Sequence, residues 1–185
     1  MSKAASFVLI FSLLSSTMGF AADKPLSLDD LGFKTTDTQS HPELQLQLEK
    51  RTDMLKTHQT LGLITAIPMI AQLFLADDVE HNAGKRNLHM GVGIMTAGLY
   101  ATTASYALFA PKPADVVDKG KTRIHRILAW IHGPLMIVTP VLGAMAYHQV
   151  GNGEKVHGIA SMHGGAATLL VTSYVASMAI MSFNF

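Results

Sequence analysis

The stretch Ile127–Ala146, ILAWIHGPLMIVTPVLGAMA, contains no Asp, Glu, Lys or Arg and carries one histidine, His132. At about 1.5 Å of rise per residue, such a run matches the roughly 30 Å of hydrocarbon in a bilayer. Three more runs free of those four residue types lie around it: Thr57–Ala76, Asn87–Ala110 and Val156–Phe185. The connectors Asp77–Arg86, Pro111–Arg126 and Tyr147–Lys155 are polar and short, which makes successive helices antiparallel neighbours. The expected fold is an all-α membrane protein, an up-down-up-down four-helix transmembrane bundle over residues 57–185. Gly62, Gly91, Gly93, Gly98, Gly143, Gly164 and Gly165 suit helices that pack closely in lipid. Pro68, Pro134 and Pro140 are expected to kink the first and third helices.

Composition points the same way. Charged residues are 15% of the chain, against about 25% in soluble domains, which argues against a soluble enzyme. The 14 Lys and Arg nearly balance 13 Asp and Glu, so nothing gives the basic footprint that nucleic acid requires. With no Cys, disulfides, thiolate metal sites, iron–sulfur clusters and haem attached through C-x-x-C-H are all excluded. Any cofactor must be held by other side chains, and nine His are the obvious candidates.

Residues 1–21 read as a secretory signal. Lys3 supplies a basic start, Phe7 to Leu14 an apolar core too short to span, and Gly19-Phe20-Ala21 the small residues of a cleavage site. Ala22 is the expected first residue of the mature chain, followed by a polar segment over 22–56. Such a signal implies a bacterial inner membrane, several crossings and a periplasmic N-terminus. The positive-inside rule votes the other way. Lys50, Arg51, Lys56, Lys112, Lys119, Lys121, Arg123 and Arg126 fall on the signal's side, and only Lys85, Arg86 and Lys155 on the other. The signal is given precedence because it acts before the later loops emerge.

The spans hold no carboxylate, Lys or Arg, so their ionisable groups are His58, His89, His132, His157 and His163 and a few Tyr. Intramembrane His is a functional feature by default, although a single one is more simply a packing hydrogen-bond donor. Depth separates the two readings. Ala76, the end of the first span, is i+18 from His58, and Gln149, just past the end of the third, is i+17 from His132. Ala110 is i+21 from His89, and Phe185 is i+22 from His163. This gives two levels, each with one His from each of two alternate helices. Alternate helices in a square bundle are about 11–14 Å apart, from a neighbour spacing of about 8–10 Å. Two imidazoles reaching inward over that distance suit an octahedral iron with a porphyrin between them, whereas zinc needs further ligands drawn close. Gly62 and Gly93 follow His58 and His89 at i+4 and Ala167 follows His163, each clearing the ligand's own face. His125, on the same face as His132, is the rival for that position; among Arg123 and Arg126 it is expected to meet a haem propionate or a substrate. His157, beside Gly151-Asn152-Gly153, reads as a solvated helix start.

One His on each of four helices, at two levels, with alternate helices paired, resembles the cytochrome b-561 family of membrane di-haem electron carriers. His58-Gln59-Thr60-Leu61-Gly62 followed by Gln72 looks like that family's H-x-x-x-G helix. Lys85-Arg86-Asn87-Leu88-His89 is similar to its basic approach to a ligand, and His132-Gly133-Pro134-Leu135-Met136 with Pro140 resembles its H-G-x-L-M helix. On the fourth helix His157-Gly158 and His163-Gly164 compete. The resemblance covers about two-thirds of the chain and implies His58, His89, His132 and His163 as axial ligands of haem iron, with two haem b groups per chain. It implies transmembrane electron transfer, with an oxidoreductase role, and a donor or acceptor that is a quinol, a small reductant such as ascorbate, a ferric chelate or a redox protein. A homodimer, or one subunit of a redox complex, is compatible with it. The alternatives are a haem-free His/Met membrane protein that handles copper or zinc, prompted by 11 Met, and a structural membrane anchor. Against the first, the methionines are spread along the helices as gap fillers rather than clustered.

Overall fold

The computed structural model describes residues 41–113 and 120–182, so the expected signal over 1–21 and the first part of the polar segment lie outside the described residues. From Pro42 onward the described residues are helical, with no strand among them: α1 Pro42–Leu75, α2 Ala83–Leu108, α3 Lys121–Gly151 and α4 His163–Ser182, with a 3-10 turn at Gly158–Met162 before α4. Three helical stretches are long and apolar enough to cross a membrane: Pro42–Leu75, Lys121–Gly151 and Gly158–Ser182. The remaining helix, α2, has 26 residues and is about 39 Å long at 1.5 Å per residue. Thr96, Thr102, Thr103, Ser105, Tyr100 and Tyr106 lower the hydropathy of its apolar run.

Two helices begin well outside the apolar runs. α1 starts at Pro42, within the segment read as polar up to residue 56, with proline at the first helical position and Glu43 in the first turn. Both suit a helix start, because proline has no N–H to leave unpaired and the carboxylate faces the positive end of the helix dipole. α3 starts at Lys121, well before the apolar run that opens at Ile127. Between α1 and α2 the chain turns tightly through Asp78, which has φ of 61°, a conformation that Asp tolerates better than most residues. Asn82 then caps α2, its side-chain oxygen accepting from the Lys85 N–H at 3.0 Å. After α3 the chain reverses at Gly153, φ 77°, where a side chain would be strained.

The helices pack as two hairpins. α1 lies along α2 and α3 along α4 over most of their lengths, while α2 meets α3 and α1 meets α4 more briefly; the diagonal pairs have no close backbone approach. Hydrogen bonds give the register of each hairpin. His58 meets Thr103 and Gln72 meets His89; His125 meets Ser177 and Thr139 meets His163. In each case an early residue of one helix meets a later residue of its neighbour, so both hairpins are antiparallel.

The polarity of the unit is inverted relative to a protein in water. Phe74 and Trp130 are 77% and 76% exposed, and Ile67, Leu108 and Ile137 are similarly bare, while Thr65, Thr96, Thr103, Thr139, Ser173 and Ser177 are buried. An apolar exterior of this extent suits contact with lipid. The hydroxyls carry no unmet demand where they bond back along their own helix, as Thr65 does to Leu61, Thr96 to Val92 and Thr103 to Leu99. The apolar part of the core is small: Ala66, Met69, Met136, Leu170, Val171 and Tyr174.

Candidate functional site, two histidine pairs

Each helix carries one half-buried His and, at i+14 from it, a polar partner for the His of its neighbour. On α1 these are His58 and Gln72, on α2 His89 and Thr103, on α3 His125 and Thr139, and on α4 His163 and Ser177. An i+14 offset is nearly four turns, so the two levels stand about 21 Å apart along the axes at 1.5 Å per residue. The exchange of partners within each hairpin follows from this spacing and from the antiparallel register.

The partners set the protonation of the rings. His58 Nδ1 lies 2.8 Å from the Thr103 carbonyl oxygen and His163 Nδ1 lies 3.0 Å from that of Thr139. A carbonyl can only accept, so Nδ1 donates and the lone pair is left on Nε2. His125 Nδ1 has the Ser177 carbonyl at 3.3 Å, which favours the same tautomer, and the Ser177 hydroxyl at 2.7 Å, which can either donate or accept. His89 differs. Its Nδ1 is buried without a partner, and the link to α1 is a bond from Gln72 Nε2 to its main-chain oxygen at 2.9 Å.

The rings meet in two pairs. His58 and His125 have centroids 6.0 Å apart and planes at 84°; His89 and His163 have centroids 6.0 Å apart and planes at 82°. Each pair joins one helix of the first hairpin to one of the second, across a diagonal where the backbones do not approach. A metal bonded at about 2 Å to a nitrogen of each ring, with about 1.1 Å more to each ring centre, requires centroids about 6 Å apart. The centroid separation of each pair is the one that a single metal between two imidazoles needs. The donor chemistry of His58 and His163 fits it too, because a tautomer fixed through Nδ1 presents an unprotonated Nε2. Among the described residues no three His, Asp or Glu side chains gather in a group suited to a metal ion. The histidines come in twos.

Of the four residues expected as ligands, His58, His89 and His163 stand in these pairs and His132 does not. His132 lies two turns along α3 from His125, halfway to Thr139. It is 6% exposed, with Nδ1 2.8 Å from the Tyr100 hydroxyl and its ring 5.2 Å from that of Tyr174. Tyr174 donates its own hydroxyl hydrogen to the Gly62 carbonyl at 2.9 Å. If Tyr100 likewise donates, His132 Nδ1 accepts and its proton sits on Nε2, opposite to the tautomer of His58 and His163. His132 Nε2 is itself buried without a hydrogen-bond partner. It fills a closed middle layer with Thr65, Thr96 and Leu170, each at i+7 from its own helix's paired His and each at most 5% exposed.

A signal for His125 was present in the sequence. The i+14 position from His125 is Thr139, a hydrogen-bonding residue, whereas the same step from His132 reaches Ala146. Depth measured from the end of the apolar run could not show this, because α3 extends to Lys121 and carries His125 into its second turn. His157 stays away from the pairs, its Nδ1 2.9 Å from Gln149 Nε2 in an exposed setting. His41, His81 and His148 are exposed, His81 lying 3.6 Å from Asp78.

Glycine makes two of the approaches possible. A Cβ on Gly143 would lie 2.8 Å from His163 Cε1, and one on Gly93 would lie 3.2 Å from Gln72 Nε2. Each glycine stands at i+4 from the carbonyl being approached, Thr139 and His89 respectively, so the absent side chain opens that carbonyl to a second donor. Gly93 therefore makes room for Gln72. Gly62 makes its contact through its carbonyl, to Tyr174. Near the second pair, Arg86 is one turn before His89, with its guanidinium 5.6 Å from the ring centre of Tyr147. Tyr147 in turn donates to Asn87 at 2.8 Å.

Comparison of the whole chain with protein-family models, with curated proteins and with solved structures found no match in any of the three.

Proposed function

We propose that this protein is an integral membrane electron carrier that binds two haem b groups, one between His58 and His125 and one between His89 and His163. The observation that carries the reading is the pair of diagonal His couples, each at 6.0 Å, three of the four rings having Nδ1 bonded to a neighbouring helix. A haem held by these histidines would supply reversible one-electron chemistry at iron. The chain provides the rest. Thr103, Thr139 and Ser177 orient the imidazoles and raise their basicity through Nδ1. The middle layer of Thr65, Thr96, His132 and Leu170 excludes water between the two levels.

On this reading α2 is the fourth membrane crossing and the bundle runs up-down-up-down, since each hairpin is antiparallel and every pair needs one helix from each. The likeness to the cytochrome b-561 pattern then extends to four axial ligands, with His125 in place of His132. Basic residues stand near both ends. Arg123 and Arg126 flank His125, and Arg86, whose Nε is buried without a partner, precedes His89. They are suited to haem propionates or to an anionic donor or acceptor. A quinol, a small acidic reductant or a redox protein fits this electrostatic setting, in a bacterial inner membrane with a periplasmic N-terminus.

The test is a dithionite-reduced minus air-oxidised absorption spectrum of detergent-purified protein, with haem counted per chain as the pyridine haemochrome. Two low-spin haem b per chain is the expected result. One per chain would leave a single pair standing. None, from cells with ample haem, would overturn the reading and direct metal analysis to copper and zinc.

A further inference from the structure

The four His partners are unequal, and the inequality falls on Gln72. Three imidazoles have a carbonyl acceptor at Nδ1: Thr103, Thr139 and Ser177. The fourth, His89, has a buried Nδ1 with no partner, while Gln72, at the corresponding i+14 place after His58, has a buried Oε1 with no partner. The other end of the same amide is bonded to the His89 main chain at 2.9 Å. A ring nitrogen able to donate and an amide oxygen able to accept therefore stand unpaired on one pair of facing residues. Exchanging the two ends of the amide would not satisfy both, because Nε2 already has its acceptor. An unmet polar group in a dry interior forfeits its hydration and receives nothing in return. That is a standing drive toward any ring rotation that joins the two.

We infer that Gln72 is a positioning residue for His89: when His89 binds iron through Nε2, its Nδ1–H donates to Gln72 Oε1, and this bond sets the potential of that haem apart from the other. The inference rests on the haem reading above. Its physical content is that a hydrogen bond at Nδ1 pushes electron density toward Nε2, making the ligand a better donor and favouring ferric iron. At the other three rings the acceptor includes a main-chain carbonyl that no substitution removes. At His89 the acceptor is a side chain, so the sequence can tune or abolish it.

The experiment uses full-length protein with both haems, titrated potentiometrically at the α band and examined by low-temperature electron paramagnetic resonance of the ferric state. His58→Ala and His89→Ala, each retaining one haem, assign the signals. Gln72→Leu removes the acceptor and is expected to raise the midpoint potential of the His89/His163 haem and to move its resonance, with the other haem unmoved. Gln72→Glu, nearly the same size, is expected to lower that same potential. If Gln72→Leu leaves it unmoved, or if both haems move together, Gln72 has no such role, although the haem reading stands. A wild-type protein without haem overturns both. Should Gln72→Leu fail to assemble, Gln72→Met, close in size and with neither charge nor amide oxygen, decides in its place: a rise in that potential supports the role and an unmoved potential overturns it.

Discussion

The two His levels are built to one plan and finished differently. At His58 and His125 both Nδ1 atoms have partners, one a main-chain carbonyl and the other the hydroxyl and carbonyl of Ser177. At His89 and His163 one Nδ1 has the Thr139 carbonyl and the other has none. This second level also needs Gly93 and Gly143 to open its carbonyls, whereas the first has no such requirement. An i+14 offset in antiparallel hairpins repeats the backbone geometry, but side chains decide how completely each copy is satisfied. The first level has both ring Nδ1 atoms partnered; the second is tighter and one partner short.

The comparison breaks hardest at the paired histidines. His125→Ala and His58→Ala are each expected to lose the same haem, with near-total loss at the first level and retention at the second. His132→Leu is expected to keep both. Haem stoichiometry and resonance spectra of the three variants check this, and loss of a haem in His132→Leu with retention in His125→Ala would restore His132 as the ligand. Next in size is Gly143→Val. Its Cβ alone would stand 2.8 Å from His163 Cε1, so His163 must leave the Thr139 carbonyl. We expect most of the second-level haem to be lost and the first-level haem kept, as read from the separate α-band amplitudes; Gly62→Ala, whose Cβ meets only ordinary contacts, should retain both.

A smaller effect is expected from Tyr174→Phe, which removes the bond to the Gly62 carbonyl. A hydrogen bond of this kind contributes about 1 kcal/mol net, so the melting midpoint in detergent should fall while the haem count stays at the wild-type value. Smallest and most local is Asn82→Ala at the start of α2. Loss of the cap should cost about 1 kcal/mol and speed hydrogen exchange in the first turn of α2, close to the second level. Exchange rates near Thr103, at the other end of the same helix, should not change.

Much of this molecule is legible in the residues. Four runs free of charge, an excess of Gly, Thr and Ser within them and His on each of four helices follow from composition and spacing, because lipid demands apolar surface and internally paired backbone. The limits of the helices were less accessible. Polar residues from 42 to 56 and from 121 to 126 continue α1 and α3 beyond the hydrocarbon-length runs, since Glu, Lys, Gln and Arg are good helix formers wherever water can receive them. The choice between His125 and His132 hung on that extension.

By itself, then, the sequence determined that the chain is helical, that its exterior is apolar and that imidazoles are the ionisable groups of its spans. These are local properties, set by the free energy of placing each side chain in water or in hydrocarbon. Only the tertiary structure decided which imidazoles face each other. His58 meets His125 and His89 meets His163, each across more than a third of the chain. Those meetings depend on where each helix starts and on the antiparallel register within each hairpin, which are fixed by contacts between distant residues rather than by the hydropathy of either partner.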